Sequence, residues 1–280
     1  MTTTTGTPDA TSAPGTIAGS LDFPLGEVLR DISRGGIAGA IAGVVAGGIG
    51  GRIAMRVAAI FHPEVTGLLT ENGNAIGEMT LGGTLFLLFF GVIFGVMAGG
   101  LWVVVSPWIP GRTAMRAVLT AGVAILIGTP LVIIGGNPDF MILNHDARVV
   151  SLLVGLVGLI GLSTALVDDW LERRLPHTAR GERGPTVAYS IVTLLGLVLV
   201  LPLLLLIFLT SDEYDLPLRA GLGLLVVGAC TATWWGLRIR GQVSPPQSLV
   251  VTARGALLVT VVLGLLTTLP HVSRALGAPY

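Results

Sequence analysis

The sequence predicts an all-helical bundle that spans a membrane about seven times. Three observations carry that expectation. Hydrophobic residues make up 52% of the 280 and charged residues only 11%, where a soluble domain carries about 25%. Mean hydropathy is +0.85. The charged residues gather in short segments between apolar stretches, each long enough to cross a bilayer at 1.5 Å per residue. Strands are excluded from the spans because an open sheet leaves its backbone unsatisfied in lipid.

Residues 1–20, rich in Thr, Gly, Pro, Ala and Ser, read as a disordered tail. They lack the basic and apolar regions of a signal peptide. In residues 21–33, Leu25, Val28, Leu29 and Ile32 fall at helical spacing opposite Glu27, Arg30 and Asp31. That pattern predicts an amphipathic helix lying on the membrane surface. The transmembrane domain then covers 34–280, with spans at about 35–60, 81–106, 114–135, 148–167, 187–210, 217–237 and 248–269.

Arginine placement predicts orientation. With the N-terminus cytoplasmic, Arg30, Arg34, Arg112, Arg116, Arg173, Arg174, Arg180, Arg183, Arg238, Arg240 and Arg254 lie inside; Arg52, Arg56, Arg148, Arg219 and Arg274 lie outside. Seven spans put the C-terminus outside. Trp102, Trp108, Trp170, Trp234 and Trp235 all fall near inner span ends and read as interfacial anchors.

Span one carries the sharpest pattern. Gly35, Gly39, Gly43, Gly47 and Gly51 recur every four residues, and Gly91, Gly95 and Gly99 answer them in span two. Small residues at this spacing let helix backbones approach closely. The expectation is a tight internal helix pair, with self-association through span one as the alternative. A neighbouring row, Gly36, Ala40, Val44 and Gly48, ends in Arg52 and Arg56. These two guanidiniums sit at the outer edge of the hydrocarbon and lean back toward it. Their expected partners are the outer-loop carboxylates, Glu64, Glu71 and Glu78 foremost, in a clamp between loop and helix. The alternative is a site for an anion or lipid headgroup, which paired guanidiniums match. The turn "ENGN" at 71–74 predicts a small hairpin between spans one and two.

His62, His145 and His271, with Asp146, form a weak metal-site candidate on the outer side; no HExxH or CxxC spacing supports it. Pro130 and Pro202 lie within spans, where each removes a backbone hydrogen bond. The span centres hold no Asp, Glu, Lys or His, which argues against an ion-coupled carrier. The sequence contains no lysine, which excludes retinal and pyridoxal Schiff-base chemistry. No nucleophile elbow or phosphate loop appears, so no cofactor and no catalytic residue is expected. A net charge of zero gives no field to attract nucleic acid.

The segments "GRIAMRVAAIF", "VTGLLTENGNAIGEMTLGGTL", "NPDF" and "LVDDWLERRLP" resemble uncharacterised multi-pass membrane proteins of high-GC, actinobacteria-like bacteria, over about residues 35–175. Those proteins have no assigned activity. The resemblance implies a bacterial plasma membrane and nothing about chemistry. The expected role is non-enzymatic: a scaffold, accessory subunit or sensor whose outer cap meets a partner protein or the bilayer. The second reading is a channel or uncoupled transporter for a small solute.

Overall fold

Among the described residues, the protein is an all-α bundle with seven helices long and apolar enough to cross a membrane. The computed structural model describes residues 22–70, 73, 75–133, 141–178, 183–209 and 218–277. The expected tail at 1–20 and Glu71 lie outside these.

Span one runs from Leu25 to Phe61, longer than expected at its N-terminal end. The helix from Asp22 to Ala42 does not break at residue 33, so no separate surface helix covers 21–33. Its charged face is buried at Arg30 and half-buried at Glu27 and Asp31 instead. Arg30 and Ser33 are each 1% exposed. Arg30 donates to the carbonyls of Glu172 and Leu175, 2.8 and 3.1 Å away, at the C-terminal end of span four. A helix end presents unpaired carbonyls and partial negative charge, and arginine answers both. Glu27 accepts from the Thr178 backbone N–H and hydroxyl. Residues 173–178 therefore fold over a face that would otherwise lie in the interface.

Span two (Leu81–Val105) packs on span one through the predicted glycines. Gly35 meets Gly99, Gly39 meets Gly95 and Gly43 meets Gly91, so closely that a methyl group on five of the six would overlap backbone of the partner helix, and one on Gly35 would overlap the Val103 side chain. The ladder then departs from expectation. Residues Gly43–Ile49 form a π-helical segment, with the Gly50 N–H bonded to the Val45 carbonyl. The wider turn advances the contact row by one residue. Gly48, rather than Gly47, is pressed against span two, where a methyl would lie 2.8 Å from Leu88 Cδ2. Gly51 has only loose contact, with Leu87 at 3.8 Å. Two rows that are separate in the sequence thus become one: Gly35, Gly39, Gly43, Gly48, Arg52, Arg56. The face offered for self-association is filled from within the chain by span two.

Spans three (Thr113–Val132) and four (Ala147–Glu172) form a second close pair. There Gly161 sits against Ala124 and the Thr120 carbonyl, and Gly158 against Ile125. Span five (Arg183–Leu209) is peripheral, with 6% of its apolar window buried against 44% for spans one and two. Its N-terminal end is pinned where Ser33 Oγ donates to the Tyr189 carbonyl at 2.8 Å. Spans six (Leu218–Ile239) and seven (Gln247–Ala275) pair with each other.

The tryptophans do not form an anchor belt. Trp108 is 1% exposed, Trp102 3% and Trp234 9%, and all three belong to one core cluster with Val227, Cys230 and Ala253. Trp108 Nε1 donates to Thr231 Oγ1 at 2.8 Å, and Arg254 holds the Trp108 carbonyl. Trp108 and Ile109 of the 106–112 turn are buried in the bundle end, which keeps the Trp108 indole out of lipid. Only Trp170, about half exposed, keeps a belt-like position.

Candidate binding pocket and cap

The two ends of the bundle differ. At the cap end, the merged row of span one delivers both arginines to the segment that precedes span two. Arg56 Nη1 donates to the Gly77 carbonyl at 2.9 Å. Arg52, 8% exposed, reaches the Glu78 and Thr80 carbonyls at 3.4 and 3.5 Å. Thr80 in turn caps span two through its hydroxyl, which accepts from the Gly83 N–H. The loop-to-helix clamp is present, but it grips carbonyls rather than the expected carboxylates. Of those, Glu78 contributes only its backbone and Glu64 pairs elsewhere. The hairpin is reduced to a single bridge between Leu69 and Ala75; no strand occurs among the described residues.

His62 forms the second cap contact. Its Nε2 meets Asp146 Oδ2 at 2.8 Å and its Nδ1 meets Glu64 Oε1 at 3.1 Å. Asp146 also accepts from the Arg148 backbone and guanidinium, which caps span four. Arg148 lies over the Phe61 ring, 4.2 Å from its centroid. The hydrogen bond to Asp146, then that to Glu64, raises the His62 pKa above the ordinary value. Arg148 holds Asp146 well below the usual carboxylate range. Backbone hydrogen bonding, then His62, lowers Glu64.

The proposed metal set does not converge. His145 bonds the Ala275 carbonyl at 3.0 Å, and His271 is buried with Nδ1 unpartnered. Among the described residues, no three His, Cys, Asp or Glu side chains are arranged to hold a metal ion.

At the opposite, arginine-rich end lies a polar pocket that sequence reasoning missed. Its charged lining is Asp31, Arg34, Arg116, Asp168 and Arg238, with Trp102, Trp234, Trp235 and Ser106 between them. Most of that charge is paired. Arg34 Nε donates to Asp168 Oδ1 at 2.7 Å, and its Nη1 reaches Glu172 and Asp31. Arg238 donates to Asp31 Oδ2 at 2.8 Å. Arg116 is different. It donates to the Ser106 carbonyl at 3.0 Å and lies 5.3 Å from the Trp102 ring centroid, and it forms no ion pair among the described residues. Its Nε and the Trp102 Nε1 are buried donors with no acceptor. Such donors cost free energy unless something accepts from them. The pocket therefore holds one guanidinium outside its ion pairs and two N–H groups with no acceptor among the described residues.

The sequence held faint signals for this pocket. Asp31 and Arg34 stand at i,i+3, and Asp168 lies at the polar end of an apolar run. Nothing local says that they meet across 134 residues.

Beyond Trp102 an apolar groove continues toward the bundle centre. Span four supplies its floor through Val157, Ile160 and Thr164, and spans two and three its walls through Met97, Leu101, Val123 and Ile127. Spans two and three make little direct contact with each other.

Comparison with protein-family models, with curated proteins and with solved structures finds no match for this chain.

Proposed function

We propose that this chain is a non-enzymatic protein of a bacterial plasma membrane, an accessory subunit or sensor that holds an anionic ligand at its arginine-rich end. One observation carries the reading: the pocket where Arg116 and Trp102 keep unspent donors is polar, while the groove leading on from it is apolar. Beyond Trp102 the lining of that groove is nearly all carbon. A solute channel needs wet, polar lining along its length. A binding protein needs a concave site with a few placed polar groups, and the pocket has that form.

The positive-inside bias supports a cytoplasmic pocket and an outer His62 cap. Cysteine labelling tests the orientation. Cys230 is buried, so background labelling is low. In intact cells Met79→Cys at the cap labels with an impermeant maleimide, and Gln242→Cys does not. The reverse pattern refutes the orientation.

Proteoliposome flux tests the function. Stopped-flow swelling with glycerol or urea, and potassium efflux, run at protein-free rates. A protein-dependent flux that saturates with solute establishes the channel reading instead.

A further inference from the structure

The pocket and the groove are two compartments of one site. Trp102 lines both. On one side of it lie the Arg116 guanidinium and the indoles of Trp234 and Trp235; on the other lies a channel lined almost wholly by carbon. Along span three the groove runs from Thr120 to Val132, about 18 Å at 1.5 Å per residue. That is more than half of a hydrocarbon core about 30 Å thick. A small polar ion has no use for such a groove, and an uncharged hydrocarbon has no use for the pocket. The ligand that uses both has an anionic head joined to a hydrocarbon chain.

From these features, and resting on the reading of the arginine-rich end as an anion site, we infer that the site takes an anionic glycerophospholipid from the surrounding leaflet. Its phosphate pairs with the Arg116 guanidinium and an ester oxygen accepts from Trp102 Nε1. One acyl chain lies in the groove over span four. The geometry suits a bilayer lipid in particular. Trp102 and Arg116 stand at helix ends, the depth at which a phospholipid carries its phosphate and esters, and the groove leads from there toward the bilayer centre. Charge selects the class of lipid. Arg34 and Arg238 are held by Asp168, Glu172 and Asp31, so Arg116 is the pocket arginine left outside those ion pairs to meet a phosphate. A zwitterionic headgroup carries its own ammonium beside the phosphate, which offsets the attraction of that phosphate to Arg116.

The full chain, purified in a mild non-ionic detergent, tests the inference by native mass spectrometry. Dioleoyl phosphatidylglycerol, dioleoyl phosphatidylcholine and glycerol 3-phosphate are added in turn. Phosphatidylglycerol is retained about tenfold or more over phosphatidylcholine, the yield of one charge-assisted contact in a sheltered site. Glycerol 3-phosphate, the head without the chain, does not compete. Arg116→Gln removes the preference, Arg116→Lys keeps most of it, and Ala98→Phe, which fills the groove, weakens both lipids. The wild-type lipid comparison requires no variant, so it stands even if a substitution impairs folding. Equal retention of the two lipids overturns the inference. Competition by glycerol 3-phosphate also overturns it and leaves a soluble-anion site, so the broader reading survives. Retention of none of the three overturns both.

Discussion

A single methyl group at Gly39 tests the close pairing of spans one and two. The methyl would overlap the Gly95 carbonyl oxygen and lie 2.6 and 2.7 Å from Gly99 N and Cα, where ordinary contact begins at 3.4 Å. Every obstacle is backbone, so no side chain can rotate away, and the helices must separate by about 1 Å. Overpacking of this kind costs about 1–3 kcal/mol, and a backbone obstacle on each side puts Gly39→Ala at the upper end. Gly36→Ala supplies the control, because nothing lies within 4 Å of the methyl it adds. Both variants gain the same helix propensity, about 1 kcal/mol over glycine. The propensity term therefore cancels, and the two should differ by about 3 kcal/mol. Unfolding in mixed micelles with rising dodecyl sulfate, followed by circular dichroism, reads the difference. Equal midpoints for Gly39→Ala and Gly36→Ala would refute backbone contact as the basis of the pair.

Three further outcomes are expected. Thr231→Val leaves Trp108 Nε1 without its acceptor in the core and destabilises by about 1–3 kcal/mol; a wild-type midpoint in the same assay contradicts the bond. Arg34→Ala strands Asp168, 5% exposed, and costs about 3 kcal/mol or more. Adding Asp168→Asn recovers part of that loss, and a double variant less stable than Arg34→Ala alone argues against the pair. At the cap, the raised His62 pKa means that the contribution of its charged form is complete below about pH 6.5 and is lost as pH rises through the higher folded value. The lowered Asp146 and Glu64 contribute above the usual carboxylate range and lose that contribution only as pH falls through their folded values. Proteolysis within 62–80 should therefore slow from about pH 8.5 to about pH 6, and His62→Gln should flatten the profile. An unchanged slope in His62→Gln rules out the histidine as its source.

Hydropathy made the spans legible because the bilayer imposes one requirement on every crossing: enough apolar length. Span two, expected at 81–106, runs Leu81–Val105. The reading failed where the requirement is met by partners far along the chain. Arg30, Asp31 and Arg34 look solvated, and only the fold shows that residues 168–178 and Arg238 bury and neutralise them. The same reason hid the pocket, whose lining comes from five separate stretches. Glycine spacing identified the span pair, since close approach has a strict period. It did not reveal the π segment, because one extra residue in a turn changes no composition. The tryptophans misled because clustering at one bundle end fits an anchor belt and a buried end plug equally well.

The burial of Arg30 sets an order of events during synthesis. Its acceptors, the carbonyls of Glu172 and Leu175, lie 142 and 145 residues downstream. At translation speeds of 5–20 residues per second, roughly 7 to 30 seconds pass before they emerge. Throughout that interval the Arg30 guanidinium lacks both carbonyls and has only Glu27 of its own helix nearby. The glycine-lined pair can close early, but the basic end of the bundle can be sealed only after the fourth crossing is complete.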